Sequence, residues 1–112
     1  MRRADRAVWT GLGRPPDREA DVPTIVIEYV SEGNRNWERD YLNKRDEYLG
    51  IGVKEYRVFD RFQRQMTVFK KRKRPTVVKE KGSYESPLLP GFVLQLDDLL
   101  ARVDVATNPK RK

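Results

Sequence analysis

The sequence predicts an α/β (α+β) fold: a mixed β-sheet with a central βαβ crossover and a C-terminal antiparallel hairpin. Three stretches predict it. Pro23 to Val30 (PTIVIEYV) is an apolar run with β-branched residues at 25, 26, 27 and 30, and it lacks the clean alternation of a half-exposed strand. That pattern suits a strand buried on both faces. Next, Trp37, Tyr41, Lys44 and Tyr48 fall at i, i+4, i+7 and i+11, which places them on one face of a helix. Val53 to Asp60 (VKEYRVFD) then reads as a second strand. A helical connection of this length favours a parallel, right-handed crossover.

The other elements follow in chain order. Ala7, Val8 and Trp9 can form a short strand, with Asp5 just before its apolar part. Thr10 to Asp21 (TGLGRPPDREAD) is dense in Gly, Pro and charge and reads as a loop. After the run at Pro23 to Val30, Ser31 to Asn34 breaks the strand. Asn34 or Asn36 can cap the helix that Trp37 opens, and Leu42 and Leu49 widen its apolar stripe. Gly50 is the expected residue just past the helix end, with Gly52 starting the turn. Arg61 to Gln65 is a turn, Met66 to Lys70 a strand, and Thr76 to Val78 another. A further strand is expected at Gly91 to Leu96, and a short helix from Asp97. The expected organisation is one domain over residues 1–105 and a basic, disordered tail over residues 106–112.

Composition limits the chemistry. The charged share, 37%, nearly equals the hydrophobic share, 38%, where a quarter charged is usual, so the core is modest for 112 residues. A partner subunit, a further segment or a ligand would complete it. Cysteine and histidine are both absent. Disulfides, thiolate zinc sites, Cys/His nucleophiles and histidine bases are therefore excluded, and any metal must be held by oxygen, which suits Mg²⁺, Mn²⁺ or Ca²⁺. No signal peptide and no apolar run near 18 residues is present. The expectation is a soluble, cytoplasmic protein that does not enter a membrane.

The net charge of +7 is unevenly spread. Lys70 to Lys81 holds seven basic residues against one acid, and Lys110, Arg111 and Lys112 add three more, so the remainder carries −2. The run Lys70, Lys71, Arg72, Lys73 and Arg74 could grip phosphates by counterion release. It could equally be a hairpin tip kept soluble by its charge.

Two charges stand where a plain fold would put Val or Leu. An ionised Glu28 inside an apolar strand costs several kcal/mol unless it is paired or binds a metal. It either faces a cleft at the strand's C-terminal end, where ligands of open α/β sheets gather, or sits wetted at an edge. Lys44 on the helix's apolar stripe could reach Glu28 or a phosphate, snorkel to water, or pair with Asp40 one turn away. Asp5 matters only if its strand lies beside Pro23 to Val30, because two carboxylates on adjacent strands can share a divalent cation. With a lysine nearby, that is the equipment for metal-assisted phosphodiester cleavage. Glu55 is expected to face solvent from its strand, and Asp60 to close the turn before Arg61.

The segment IVIEYVSEGNRNWERDYLNKRDEYLGIGVKEYRVFDR, followed by MTVF and later SPLLPGFVLQL, resembles the Uma-type putative restriction endonuclease family of the PD-(D/E)XK nuclease superfamily. The shared pattern is an apolar strand with Glu then Ser, a helix carrying D-Y-x-x-K-x-x-x-Y, then G-V-x-E-Y and an apolar strand ending in Asp. The resemblance covers about Asp5 to Leu96. It implies a restriction-endonuclease-like mixed sheet, a divalent cation (Mg²⁺ or Mn²⁺) and DNA as substrate. It assigns Asp5 and Glu28 as metal ligands and Lys44 as the catalytic lysine. Two positions depart from the pattern: the superfamily's usual lysine position, two residues after the acid, is Val30, and Arg57 stands where tryptophan is common. The family's helix and hairpin before the first aspartate have no counterpart here, so an N-terminally shortened domain is expected, with an open sheet edge able to join a second copy as a homodimer. The alternative is a noncatalytic nucleic-acid-binding remnant of this fold that uses the basic hairpin 70–81.

Overall fold

The computed structural model describes residues 5–31 and 37–107. Five strands form one mixed sheet in sequential order: β1 (Arg6–Val8), β2 (Ile25–Tyr29), β3 (Glu55–Asp60), β4 (Gln65–Phe69) and β5 (Thr76–Lys79). Helix α1 (Trp37–Gly50) makes the crossover between β2 and β3, which run parallel, while all other neighbours are antiparallel. A separate two-stranded hairpin, β6 (Ser83–Glu85) and β7 (Val93–Gln95), leads into α2 (Leu96–Thr107). The expected mixed sheet and crossover are present, and the expected hairpin of Met66 to Lys70 with Thr76 to Val78 is the antiparallel pair β4–β5.

The pleat sorts side chains onto two faces. Val26, Tyr56, Val58 and Phe69 pack with Tyr41, Tyr48 and Leu49 of α1. Phe59, Met66, Val68 and Val78 point the other way and pack with Leu96 and Leu100 of α2. The sheet is thus the middle of three layers, and β3, covered on both faces, is buried at all six positions. The mixture of apolar and charged residues in β3 follows from this, since each face must satisfy its own neighbours.

The α1 stripe lands as its spacing dictates: Tyr41 and Tyr48 are buried and Lys44 is half-buried between them. The expected caps, Asn34 and Asn36, lie outside the described residues. The helix ends in a Schellman arrangement, with Val53 N donating to Tyr48 O (3.1 Å) and Gly52 N to Leu49 O (3.3 Å). The left-handed residue this requires is Gly52 (φ 111°), not Gly50, which stays helical. Val53 and Tyr48 close the apolar contact beneath the turn. Asp60 closes the β3–β4 turn as expected, its Oδ1 accepting from Phe62 N and Gln63 N.

Two further expectations change. Strand β6 was not anticipated, because Ser83-Tyr84-Glu85 is too short and polar to carry a pattern of its own. Helix α2 runs through Thr107, past the expected tail boundary at residue 106, with Arg64 of the β3–β4 turn clamping its Asp104 (3.1 Å) and also Glu80 (2.9 Å). Residues 108–112 of that tail lie outside the described residues. Among the described residues no helix is long and apolar enough to cross a membrane.

Candidate active site

Glu28 is the fourth residue of β2 and is only 3% exposed. It shares the α1 face of the sheet with Val58, its partner across the parallel ladder. β1 brings in the second acid. Its register pairs Arg6 with Ile27, so the next step along the ladder sets Asp5 opposite Glu28 on that same face. Asp5 Oδ2 accepts a 2.8 Å hydrogen bond from Tyr29 N, which fixes its carboxylate, and its carboxyl group interacts directly with that of Glu28. Helix α1 supplies the cation: Lys44 Nζ lies 4.0 Å from Glu28 Oε1 and 4.8 Å from the centre of the Tyr41 ring. Tyr41 is itself anchored to β2, its hydroxyl donating to Tyr29 O (3.1 Å). The structure therefore brings Asp5, Glu28 and Lys44 together, although they are drawn from three separate elements.

Burial pushes the Glu28 carboxyl up to about 7. The Lys44 ammonium opposes this, the neighbouring Asp5 carboxyl adds to it, and a hydrogen bond from the Tyr48 hydroxyl works against it. Burial wins because charge on a dehydrated carboxylate is costly. Glu28 Oε1 has no hydrogen-bond partner. A buried carboxylate oxygen left in that state is expensive unless something else completes it.

A hard divalent cation fits this arrangement. It takes oxygen ligands, and one or two carboxylates with water and phosphate oxygens making up the rest is a usual set for Mg²⁺. Asp5 and Glu28 supply two carboxylates, one of them with an unused buried oxygen. Among the described residues no group of three or more His, Cys, Asp or Glu side chains is placed to hold a metal ion.

The basic run occupies a different part of the same face. A groove of about 370 Å³ lies between the C-terminal half of α1 and the β4–β5 connection, with Lys70, Lys71, Arg72, Lys73 and Arg45 along it. Arg74 does not line it. Arg45 had no role in the sequence reading. It lies over the Phe69 ring (5.4 Å), a contact between two elements that helical spacing does not disclose.

Glu55 corrects an expectation. It does not face solvent but is 0% exposed. Its Oε1 accepts from Arg57 Nε (3.0 Å) and NH2 (2.9 Å), and its Oε2 accepts from the Tyr84 hydroxyl (3.2 Å) and from Ser86 Oγ. Lys70 Nζ stands 3.8 Å away. The hairpin that covers it is the one whose first strand the sequence did not announce. This cluster lies on the α2 face, opposite Glu28, and the buried arginine at the departing position 57 is accounted for by Glu55. Tyr48 is the other group missed. It reads as an apolar stripe residue, yet its hydroxyl reaches Glu28 while its ring stacks on Tyr56 (5.5 Å).

Comparison with known proteins gives two findings. The profile of the family Uma2, "Putative restriction endonuclease", matches residues 2–97. Among solved structures, the chain is similar to a putative nuclease belonging to DUF820 from Anabaena variabilis ATCC 29413, with a TM-score of 0.56 and 17% identity. That match covers 71% of this chain and 45% of the other, so the chain spans less than half the length of that protein. At such identity the likeness speaks for the fold. No curated protein matches the chain.

Proposed function

Because the chain belongs to the Uma2 family, "Putative restriction endonuclease", we propose that it hydrolyses phosphodiester bonds of DNA at Asp5, Glu28 and Lys44. The two carboxylates would hold Mg²⁺ or Mn²⁺. The observation that carries this reading is the buried Glu28 Oε1, without a hydrogen-bond partner and 4.0 Å from Lys44 Nζ.

When bound, the cation supplies Lewis-acid stabilisation of developing charge and activation of water. The chain's own residues do the rest. Tyr29 N holds the Asp5 carboxylate in place, and the Tyr48 hydroxyl holds that of Glu28. Lys44 has no hydrogen bond to Glu28 at 4.0 Å, so its ammonium is available to donate to a non-bridging phosphate oxygen or to orient the attacking water. β2 and α1 are tied by the Tyr41–Tyr29 hydrogen bond, which keeps acid and lysine in register.

The test is nicking of supercoiled plasmid with Mg²⁺ or Mn²⁺, beside Glu28→Ala and Lys44→Ala. Metal-dependent nicking lost in both variants is the expected result. Nicking that survives Glu28→Ala would sink the proposal.

A further inference from the structure

The groove between α1 and the β4–β5 connection is lined by five cations and one acid, Asp46. Asp46 is already engaged by Arg45 at 2.9 Å, and Lys70 turns its ammonium to Glu55 on the α2 face (3.8 Å), which leaves the other four cations to the groove. Lys71, Arg72 and Lys73 are exposed and have no carboxylate partner among the described residues. Three successive unpaired cations on one short turn repel each other, and the turn is held tight by the hydrogen bond from Lys73 N to Lys70 O (3.3 Å) and by Arg72 in the left-handed region (φ 61°). Such a charge distribution is relieved by a polyanion.

The shape selects among polyanions. The cations edge a concave groove whose wall includes the side chains of Leu49 and Phe69. A flat bilayer surface does not enter a concavity, whereas a ridge of phosphates does. Position points the same way. Lys44, which faces Glu28, and Arg45, which lines the groove, are consecutive residues of α1. The groove-lining stretch Arg45 to Gly50 extends roughly 8 Å along the helix axis, about the rise of two base pairs.

We propose that this groove binds the sugar–phosphate backbone of a nucleic acid a few nucleotides away from the bond held at Asp5, Glu28 and Lys44. Arg45, Lys71, Arg72 and Lys73 act as positioning residues there. The location of the reacting bond rests on the nuclease reading above, while the binding itself does not. Contacts to non-reacting phosphates hold a long substrate in register and carry no sequence preference.

The test is binding of a fluorescein-labelled DNA duplex in EDTA, followed by anisotropy across a salt series. The variants are the triple substitution Lys71→Gln, Arg72→Gln, Lys73→Gln and, separately, Glu28→Gln. The triple variant is expected to bind at least tenfold more weakly, with the slope of log K against log[salt] reduced by about 2 to 3. Glu28→Gln is expected to keep the wild-type slope. An unchanged affinity and slope in the triple variant would overturn the groove proposal, as would charge-dependent binding to phosphatidylserine vesicles with none to DNA. In the nicking assay the triple variant is expected to raise KM on plasmid and leave kcat in place; an equal loss in kcat alone would count against a positioning role. If duplex binding follows the groove charges while no metal releases nicking, the nuclease reading fails and the groove proposal stands.

Discussion

Lys44 Nζ stops 4.0 Å short of Glu28 Oε1, near enough to feel its charge and too far to satisfy it. A structural ion pair in so buried a place would close to hydrogen-bond distance, because an unmet buried acceptor costs about 1–3 kcal/mol. The gap leaves both groups able to engage a third partner.

Stability of the metal-free protein should fall as pH rises through neutrality. The Glu28 carboxyl is raised from 4.5 to about 7, so the folded state keeps a proton that the unfolded state releases. Its contribution is fully present below about 4.5 and is lost as pH climbs through 7, on the order of 3 kcal/mol in all. Urea denaturation at pH 5 and pH 8 reads this, and Glu28→Gln should remove most of the difference. Asp21, lowered to about 2 by Arg14, acts in the opposite sense and only in more acidic solution.

Mg²⁺ at pH 7.5 should raise the unfolding midpoint of the wild type and leave Glu28→Gln nearly unmoved. A ligand at a hundredfold excess over its Kd adds about 2.7 kcal/mol. Equal shifts in both proteins would show that the cation binds elsewhere.

Lys44→Met keeps the half-buried stem and removes the charge. Because the ammonium is what holds the Glu28 carboxyl down, its titration should move above 7 in the variant. Nicking should drop by about 10²-fold or more, the usual loss for one preorganised donor to a developing charge, while the thermal midpoint shifts little.

Tyr48→Phe retains the stack on Tyr56 and deletes the hydroxyl that donates to Glu28. The acidic limb of the pH–rate profile should move to higher pH, with a loss of about 1.5–3 kcal/mol for a hydrogen bond to a charged group. A variant with reduced rate and an unmoved profile would assign Tyr48 to packing alone.

Glu55→Ala should destabilise by about 3–5 kcal/mol, because it leaves the buried Arg57 without its counter-ion. The double variant Glu55→Ala, Arg57→Met should cost less than the sum of Glu55→Ala and Arg57→Met alone. Chemical denaturation of all four proteins completes the cycle.

Much of the molecule was written in local pattern. The apolar run around Glu28 gave a central strand, the 3.6-residue period of Tyr41, Lys44 and Tyr48 gave the α1 face, and the basic run gave the β4–β5 turn. Glu55 misled for a physical reason. EYRVFD alternates charged and apolar residues at first, as a half-exposed strand does, and only the covering hairpin with Tyr84 and Ser86 turns that polar face inward. Arg45 was silent because its partner, Phe69, is on another element.

The sequence by itself determined the strands of the main sheet, the crossover helix and the apolar stripe of α1, since propensity and periodicity act within a few residues of chain; the short polar β6 and the buried polar face of β3 escaped it. It also singled out Glu28 and Lys44 as charges out of place. Only the tertiary structure decided that Asp5 stands opposite Glu28, that Tyr48 reaches the same carboxyl, and that Arg45 joins the basic turn around one groove. Those relationships depend on strand register and helix placement across distant parts of the chain. They are fixed by how the three layers pack, which no local pattern encodes.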